Sequence, residues 1–304
     1  MSLRTTLPLH LIPDVSELGC YLPVVLPIAW IAVNHESANS YWQWLCSELT
    51  FQQLTCHLPF LCAFFFYFGT SLVFFTVDMT NSFQTFKIQT KKKPPTLESY
   101  WNCAKLVLFN FLAINLPISY LNYLWLDNAE AARMQVYAAL PSAGVIVRDL
   151  AVSAVLFEFS FYWWHRLFHY PPLYKIVHKE HHKYTAPMGL AAIYAHPLDH
   201  LITNMVSMIL GPIFMKMHVA VLCLWGTITV ITTVCTHSGY ALPGSANAAS
   251  HDYHHYAFNS NFGVLGIFDW LHGTDKGSKE YEAAIRRRIG REKVAKVDKV
   301  SKDE

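Results

Sequence analysis

Sixteen histidines stand in this chain, and eight of them fall in three short runs: His165-Arg-Leu-Phe-His169, His178-Lys-Glu-His181-His182 and His251-Asp-Tyr-His254-His255. The first pair is spaced i, i+4. Both triplets are spaced i, i+3, i+4. On a helix these spacings put the imidazoles on one face, about one turn apart. Imidazole is a common ligand for zinc, copper, iron and nickel. A pair at i, i+4 can share one ion, and a triplet can serve two adjacent ions. Eight such ligands exceed the three or four of a typical zinc site and suit two metals. Imidazole-rich ligation also leaves positions open for O2 or water.

Other residues belong beside these runs. His196 precedes Pro197, which puts it at a helix start, and His200 lies one turn on. His237 sits in Thr-His-Ser-Gly-Tyr, just beyond an apolar stretch. Glu158 lies seven residues before His165 and shares a helical stripe with it and with Tyr162. A carboxylate inside an apolar span is costly and functional by default, and orienting a ligand histidine is the modest form of that role. His10, His35, His57 and His218 are solitary and read as ordinary core or surface residues. His272, in Trp-Leu-His-Gly-Thr-Asp, reads as structural or as a hydrogen-bonding neighbour of the site.

Composition shows what must position these side chains. Of 304 residues, 53% are hydrophobic and 14% charged, where soluble domains carry about 25% charged residues. Mean hydropathy is +0.23. Charge gathers at the end of the chain, where residues 276–304 carry ten Lys/Arg and six Asp/Glu. The seven cysteines, at 20, 46, 56, 62, 103, 223 and 235, form no CxxC and read as free thiols. The first fifteen residues lack the apolar core and small-residue cleavage site of a signal peptide. No nucleic-acid partner is expected.

The apolar segments imply an all-α, integral membrane helical bundle of about four spans, capped by a cytosolic, helical, histidine-rich metal domain. Residues 1–20 read as loop, and 21–33 as a short interfacial or buried helix. Trp42 and Trp44 suit a membrane interface. Residues 58–77 form the first span and 106–126 the second, with Asn110 and Asn115 facing other helices. Residues 145–164 form the third. The apolar stretch 201–235 is too long for one span and reads as a hairpin turning at residues 216–218. The loop holding Lys87, Lys91, Lys92 and Lys93 is cytosolic by the positive-inside rule. Following the chain from there puts all three histidine runs on that same side. The expected division is 1–144 for an N-terminal membrane region with two spans, 145–276 for the metal domain, and 277–304 for a charged tail.

The runs HRLFH, HKEHH and HDYHH, in that order in an apolar chain, resemble the fatty acid hydroxylase/sterol desaturase superfamily. The flanking runs LYKIVH, IYAHPL, THSGY and DWLHGTD resemble its C-4 methylsterol oxidase branch and the related fatty acid hydroxylase domain-containing proteins. The resemblance covers residues 145–276 well and the earlier spans loosely. It implies a multi-pass enzyme of the endoplasmic reticulum membrane with the metal site facing the cytosol. It further implies two iron ions, with O2 as co-substrate, held by His165, His169, His178, His181, His182, His251, His254 and His255. His196 and His237 are the expected additional ligands. The activity implied is monooxygenation of a lipid C–H bond, a sterol C-4 methyl group being the first target, with hydroxylation or desaturation of a fatty-acyl chain as the alternative. Electrons would come from an external donor such as cytochrome b5 and its reductase, since the chain holds no flavin, haem or iron–sulfur motif. The Lys-rich loop at 87–93 and Arg286, Arg287 and Arg288 are candidates for docking that donor or anionic lipid.

Two other classes fit the sequence less well. One is a non-catalytic metal-binding membrane protein, either a relative that has lost activity or a metal transporter; a transporter would place its ligands within the spans, whereas these runs stand beyond the span ends. A zinc hydrolase of the HExxH type needs a glutamate that HRLFH does not have.

Overall fold

The computed structural model describes residues 22–243 and 248–303. The expected loop at 1–20, with His10 and Cys20, lies outside them. Among the described residues the chain is all-α, with no strand and a single isolated bridge between Lys87 and Tyr240. Two short helices come first, α1 (Leu22–Val33) and α2 (His35–Glu48). Long helices follow: α3 (Gln53–Met79) and α4 (Leu97–Asp127). After α5 (Glu130–Val136) comes α6 (Ala143–Phe168). The expected hairpin is α7 (Pro197–Met215) and α8 (Val219–Thr236), turning at Lys216. The last elements are α9 (Ala248–Ala257), α10 (Ile267–His272) and α11 (Ser278–Asp303).

Among the described residues four helices, α3, α4, α7 and α8, are long and apolar enough to cross a membrane. The expected third span, α6, is not among them, because it carries four charged residues, Arg148, Asp149, Glu158 and Arg166. Contacts at the two ends of the bundle nevertheless carry α6 from one to the other. At one end, Ile88 N donates to Gly239 O (2.9 Å) and Gln89 Nε2 to Thr185 O (2.7 Å), gathering the loops after α3, α6 and α8. At the other, Leu140 N donates to Asn39 Oδ1 (2.9 Å), and the Trp42 and His218 rings meet at 5.0 Å. Helix α6 starts just after Leu140 and ends at the first of these ends. Its 26 residues at about 1.5 Å each suffice to span a bilayer. Its charges are placed accordingly: Arg148 pairs with Asp149 (2.7 Å) near the far end, and Glu158 is fully buried.

The outer surface of the bundle is apolar, with Phe65, Phe66, Leu72, Val73, Leu108, Phe109, Val155 and Phe214 all exposed. That is how a lipid-facing belt is built. Trp44 is 52% exposed, as an interfacial residue should be. Trp42 is not interfacial: at 3% exposure it packs with Phe51, Leu54, Val136 and Val219 in a core at the far end.

Polar side chains inside the bundle fix irregular backbone. Pro59 cannot donate to the carbonyl four residues earlier, and that carbonyl, Thr55 O, accepts from Asn122 Nδ2 of α4 (3.0 Å). The buried stretch 188–195 enters between α3, α4 and α8. Tyr67 donates its hydroxyl to Leu190 O (2.8 Å) and accepts from Ile193 N (3.2 Å). Asn110 Nδ2 donates to Ile193 O and Ala195 O (3.0 Å each). Helices α6 and α7 cross at small residues, where a Cβ on Gly211 would lie 2.4 Å from Ser153 Cα. Nearby, Ser207 Oγ donates to Ser160 Oγ (2.9 Å). Close backbone approach of this kind is a usual way for helices to associate in lipid.

Candidate metal centre

Nine imidazoles converge at the end of the bundle where α6 and α8 finish. They form two groups, His165, His169, His178, His182 and His254 in one, and His181, His237, His251 and His255 in the other. Within each group one nitrogen per ring lies within 4.8 Å of all the rest. Helix α6 contributes His165 in its last turn and His169 at its C-cap. Tyr174–His178 forms a π turn and His181–Lys183 a 3₁₀ turn. The second run is therefore not one helical face: His178 and His182 turn to the first group and His181 to the second. Helix α9 divides the opposite way, giving His254 to the first group and His251 and His255 to the second. His237 follows α8 directly.

Partners of the Nδ1 atoms fix the tautomers of several rings. His165 Nδ1 donates to Phe262 O (2.7 Å) and His254 Nδ1 to Ser260 O (2.7 Å). His237 Nδ1 donates to Thr233 O (2.8 Å), and His178 Nδ1 to the Asp199 carboxylate (2.7 Å). A carbonyl or carboxylate oxygen only accepts, so each Nδ1 carries the proton and each Nε2 presents a lone pair. Those Nε2 atoms lie close to one another or to the Nε2 of His182 and His251: His165 and His178 at 3.1 Å, His182 and His178 at 3.1 Å, His254 and His182 at 3.3 Å, His251 and His237 at 2.8 Å. Two nitrogens each about 2.1 Å from one ion sit roughly 3.0–3.4 Å apart at ordinary bond angles. The donor set therefore fits two transition-metal ions.

Electrostatics agree with that use. Burial, with neighbouring imidazoles adding to it, holds His181 down to about 4 and His237 and His254 down to about 3. The same causes push His169, His182, His251 and His255 below the ordinary histidine range. These rings stay neutral near pH 7, the form that binds metal.

Glu158 does not touch a histidine. Its carboxylate accepts from the backbone N–H groups of Val264 (2.6 Å), Leu265 (2.8 Å) and Phe268 (3.3 Å). Asp269 accepts from Phe262 N (2.8 Å) and Gly263 N (2.6 Å). Two buried carboxylates thus hold the loop whose Phe262 carbonyl orients His165. Gly263 has no room for a side chain, since a Cβ there would lie 2.5 Å from Glu158 Oε1. A second clamp holds α9. Asp252 accepts from Gln89 Nε2 (3.0 Å) and from the Tyr281 hydroxyl (2.7 Å) of α11, and burial pushes it up to about 6.

His196 is not brought into either group. It is exposed, and its Nδ1 accepts from Leu198 N (3.2 Å) at the start of α7, so the capping role displaces the expected ligand role. His200 is buried outside both groups, with its Nε2 donating to Asn115 Oδ1 (2.8 Å) across to α4. His272 stacks on Tyr162 at 5.2 Å. Asp199, Asp252 and Asp269 were missed by sequence reasoning. Asp199 alone carried a signal, a carboxylate at the mouth of an apolar run.

A membrane-spanning helical bundle capped by nine converging histidines, in two groups each able to hold a metal ion, is the class that this fold and site define. The model of the fatty acid hydroxylase family matches residues 150–274. Fatty acid hydroxylase domain-containing protein 2 of Homo sapiens is 35% identical over 85% of this chain and 81% of its own length. A C-4 methylsterol oxidase of Schizosaccharomyces pombe is 31% identical over 82% and 84%. A very-long-chain aldehyde decarbonylase of Oryza sativa is 32% identical over 81% and 94%. The chain belongs to the fatty acid hydroxylase family. No solved structure matches it.

Proposed function

We propose that this protein is a membrane-bound di-iron monooxygenase that hydroxylates an unactivated C–H bond of a lipid, with a sterol C-4 methyl group as the favoured target. The observation that carries the reading is the convergence of neutral imidazole Nε2 lone pairs in two adjacent groups. The sterol target rests on the similarity to a C-4 methylsterol oxidase. Hydroxylation of a fatty-acyl chain is the second reading, supported by the family model.

His165, His169, His178, His182 and His254 would hold one ion, and His181, His237, His251 and His255 the other. Bound iron would supply open coordination positions and the redox chemistry that activates O2. The chain's own part is to orient the ligands and to line the site. Phe262 O, Ser260 O, Thr233 O and Asp199 keep protons on Nδ1, so that Nε2 faces inward. Phe161, Ala192 and Ala195 give the centre an apolar lining beside the histidines. A substrate reaching this lining comes from the bilayer.

We also propose residence in the endoplasmic reticulum membrane with the metal end in the cytosol. Exposed Lys91, Lys92, Lys93, Lys175 and Lys179 at that end support the orientation. Cytochrome b5 or a donor like it would dock there. Lys87 is withdrawn from that surface, because its Nζ is buried against Asp78 Oδ1 (3.0 Å). Arg288 is likewise engaged with Glu292 and Lys87 O. Reconstituted protein should consume O2 with a donor and a 4-methylsterol and release a hydroxymethyl product. Turnover of a fatty-acyl substrate alone would select the second reading.

A further inference from the structure

Beside the metal centre lies a small cavity, about 20 Å³, lined by both groups of histidines. Its inner wall is one helical turn deeper in the bundle. Phe161 stands four residues before His165 on α6, and Thr233 four before His237 on α8; Thr203 and Asn204 lie on α7. Phe161, Ala192 and Ala195 make the wall apolar. Apart from the histidines, four lining side chains are polar: Asp199, Thr203, Asn204 and Thr233.

Asp199 and Thr203 are already engaged, Asp199 with His178 and the Thr203 hydroxyl with Asp199 Oδ1 (2.8 Å). Asn204 and Thr233 are not. Asn204 Nδ2 donates to His200 Nδ1 (3.3 Å), a ring whose Nε2 proton goes to Asn115. That bond presents the NH2 of Asn204 to His200 and leaves its Oδ1 without a partner among the described residues. The Thr233 hydroxyl has no hydrogen bond among them either. Both residues are half-buried and line the cavity, so these two polar atoms are open to a group placed in it.

We infer that Asn204 and Thr233 form a subsite for a hydroxyl group on the lipid, which donates to Asn204 Oδ1 and accepts from Thr233 Oγ1. The cavity has room for about one group the size of a water. It takes the hydroxyl and not the lipid body, which must lie outside along the helices. The carbon oxidised is then close to an oxygen-bearing carbon. A hydroxysterol meets this requirement, as does a long-chain alcohol or other hydroxylated chain. An unsubstituted alkyl chain does not. The inference deepens the proposed function and rests on it for the placing of the reacting carbon.

The test is direct binding to iron-loaded, full-length protein in nanodiscs. The probes are a 4-methylsterol bearing a 3β-hydroxyl, its 3-deoxy and 3-keto analogues, octadecanol and octadecane. The hydroxysterol should bind about 5- to 10-fold more tightly than its deoxy and keto analogues, the scale of a neutral hydrogen bond. Asn204→Leu and Thr233→Val should each shrink that preference toward unity, with metal content and affinity for the deoxy analogue unchanged. A preference of octadecanol over octadecane, without one among the sterols, would assign the hydroxyl to a chain. Equal binding of every pair by the unaltered protein would overturn the subsite, whatever the variants do. So would a hydroxyl preference that survives in folded variants. Loss of metal or of O2 consumption with the binding preference intact would count against the oxygenase reading and leave the subsite standing.

Discussion

The Nε2 atoms of His165 and His178 lie 3.1 Å apart, and neither carries a proton to share. Each ring has committed its proton elsewhere, to Phe262 O and to Asp199. Two lone pairs held face to face repel unless a cation lies between them. A bound metal ion is one such cation, and the arrangement suits it.

Asp199→Ala removes the acceptor that fixes His178. Iron affinity of the five-histidine group should fall about 10- to 100-fold, the usual effect of losing such a partner. The four-histidine group should keep its ion. Titration with limiting iron should then show one tight site where the unaltered protein shows two.

Glu158→Ala strips three backbone N–H groups of their acceptor in a buried loop. Each orphaned donor costs about 1–3 kcal/mol. Thermal unfolding should begin at lower temperature, and metal bound through His165 should fall with it. Glu158→Gln, which keeps one carbonyl acceptor, should be milder on both counts. A Glu158→Ala protein with full metal content and turnover would refute the orienting role.

Gly211→Val sets a branched side chain against Ser153 at the crossing of α6 and α7, where even a Cβ has no room. Overpacking of this sort costs about 1–3 kcal/mol. The expected result is lower thermal stability in detergent. At Gly69, where nothing lies within 4 Å of an added Cβ, Gly69→Ala should have little effect.

Acid should destabilise the metal-free protein. Burial holds His181 near 4 and His237 and His254 near 3 when folded, whereas an unfolded histidine titrates at about 6.5. A depressed histidine leaves the unfolded state with more bound protons below that value. Its contribution is fully present above pH 6.5 and is lost as pH falls toward 4. Melting temperature of the apo-protein, followed from pH 8 to 4.5, should be flat at first and then drop. Bound iron should delay the drop.

The convergence of the histidines was legible in the sequence because residues on one helical face repeat at the helical period. The eight run histidines and His237 all reach the centre. Their division was less visible, since a π turn and a 3₁₀ turn break the second run. His196 misled because a residue before proline that caps a helix looks the same in sequence as one poised to bind. The carbonyls of Ser260 and Phe262 carry no side-chain signature, and Asp199 acts 21 residues from His178. The hairpin and the first two spans follow from apolar length alone. The third, over residues 145–164, was read in the same way despite its charges, and the contacts at the two ends of α6 support it. Trp42 was misread because tryptophan suits an interface and a core equally, and packing against His218 decides.

Metal analysis tests the central claim most directly. Protein purified without chelator, loaded with ferrous iron and freed of excess should hold two irons per chain. Substituting histidines of one group should remove one of them, and donor-dependent O2 consumption should require both. A single zinc per chain, with no iron retained and no oxygen uptake, would contradict the account.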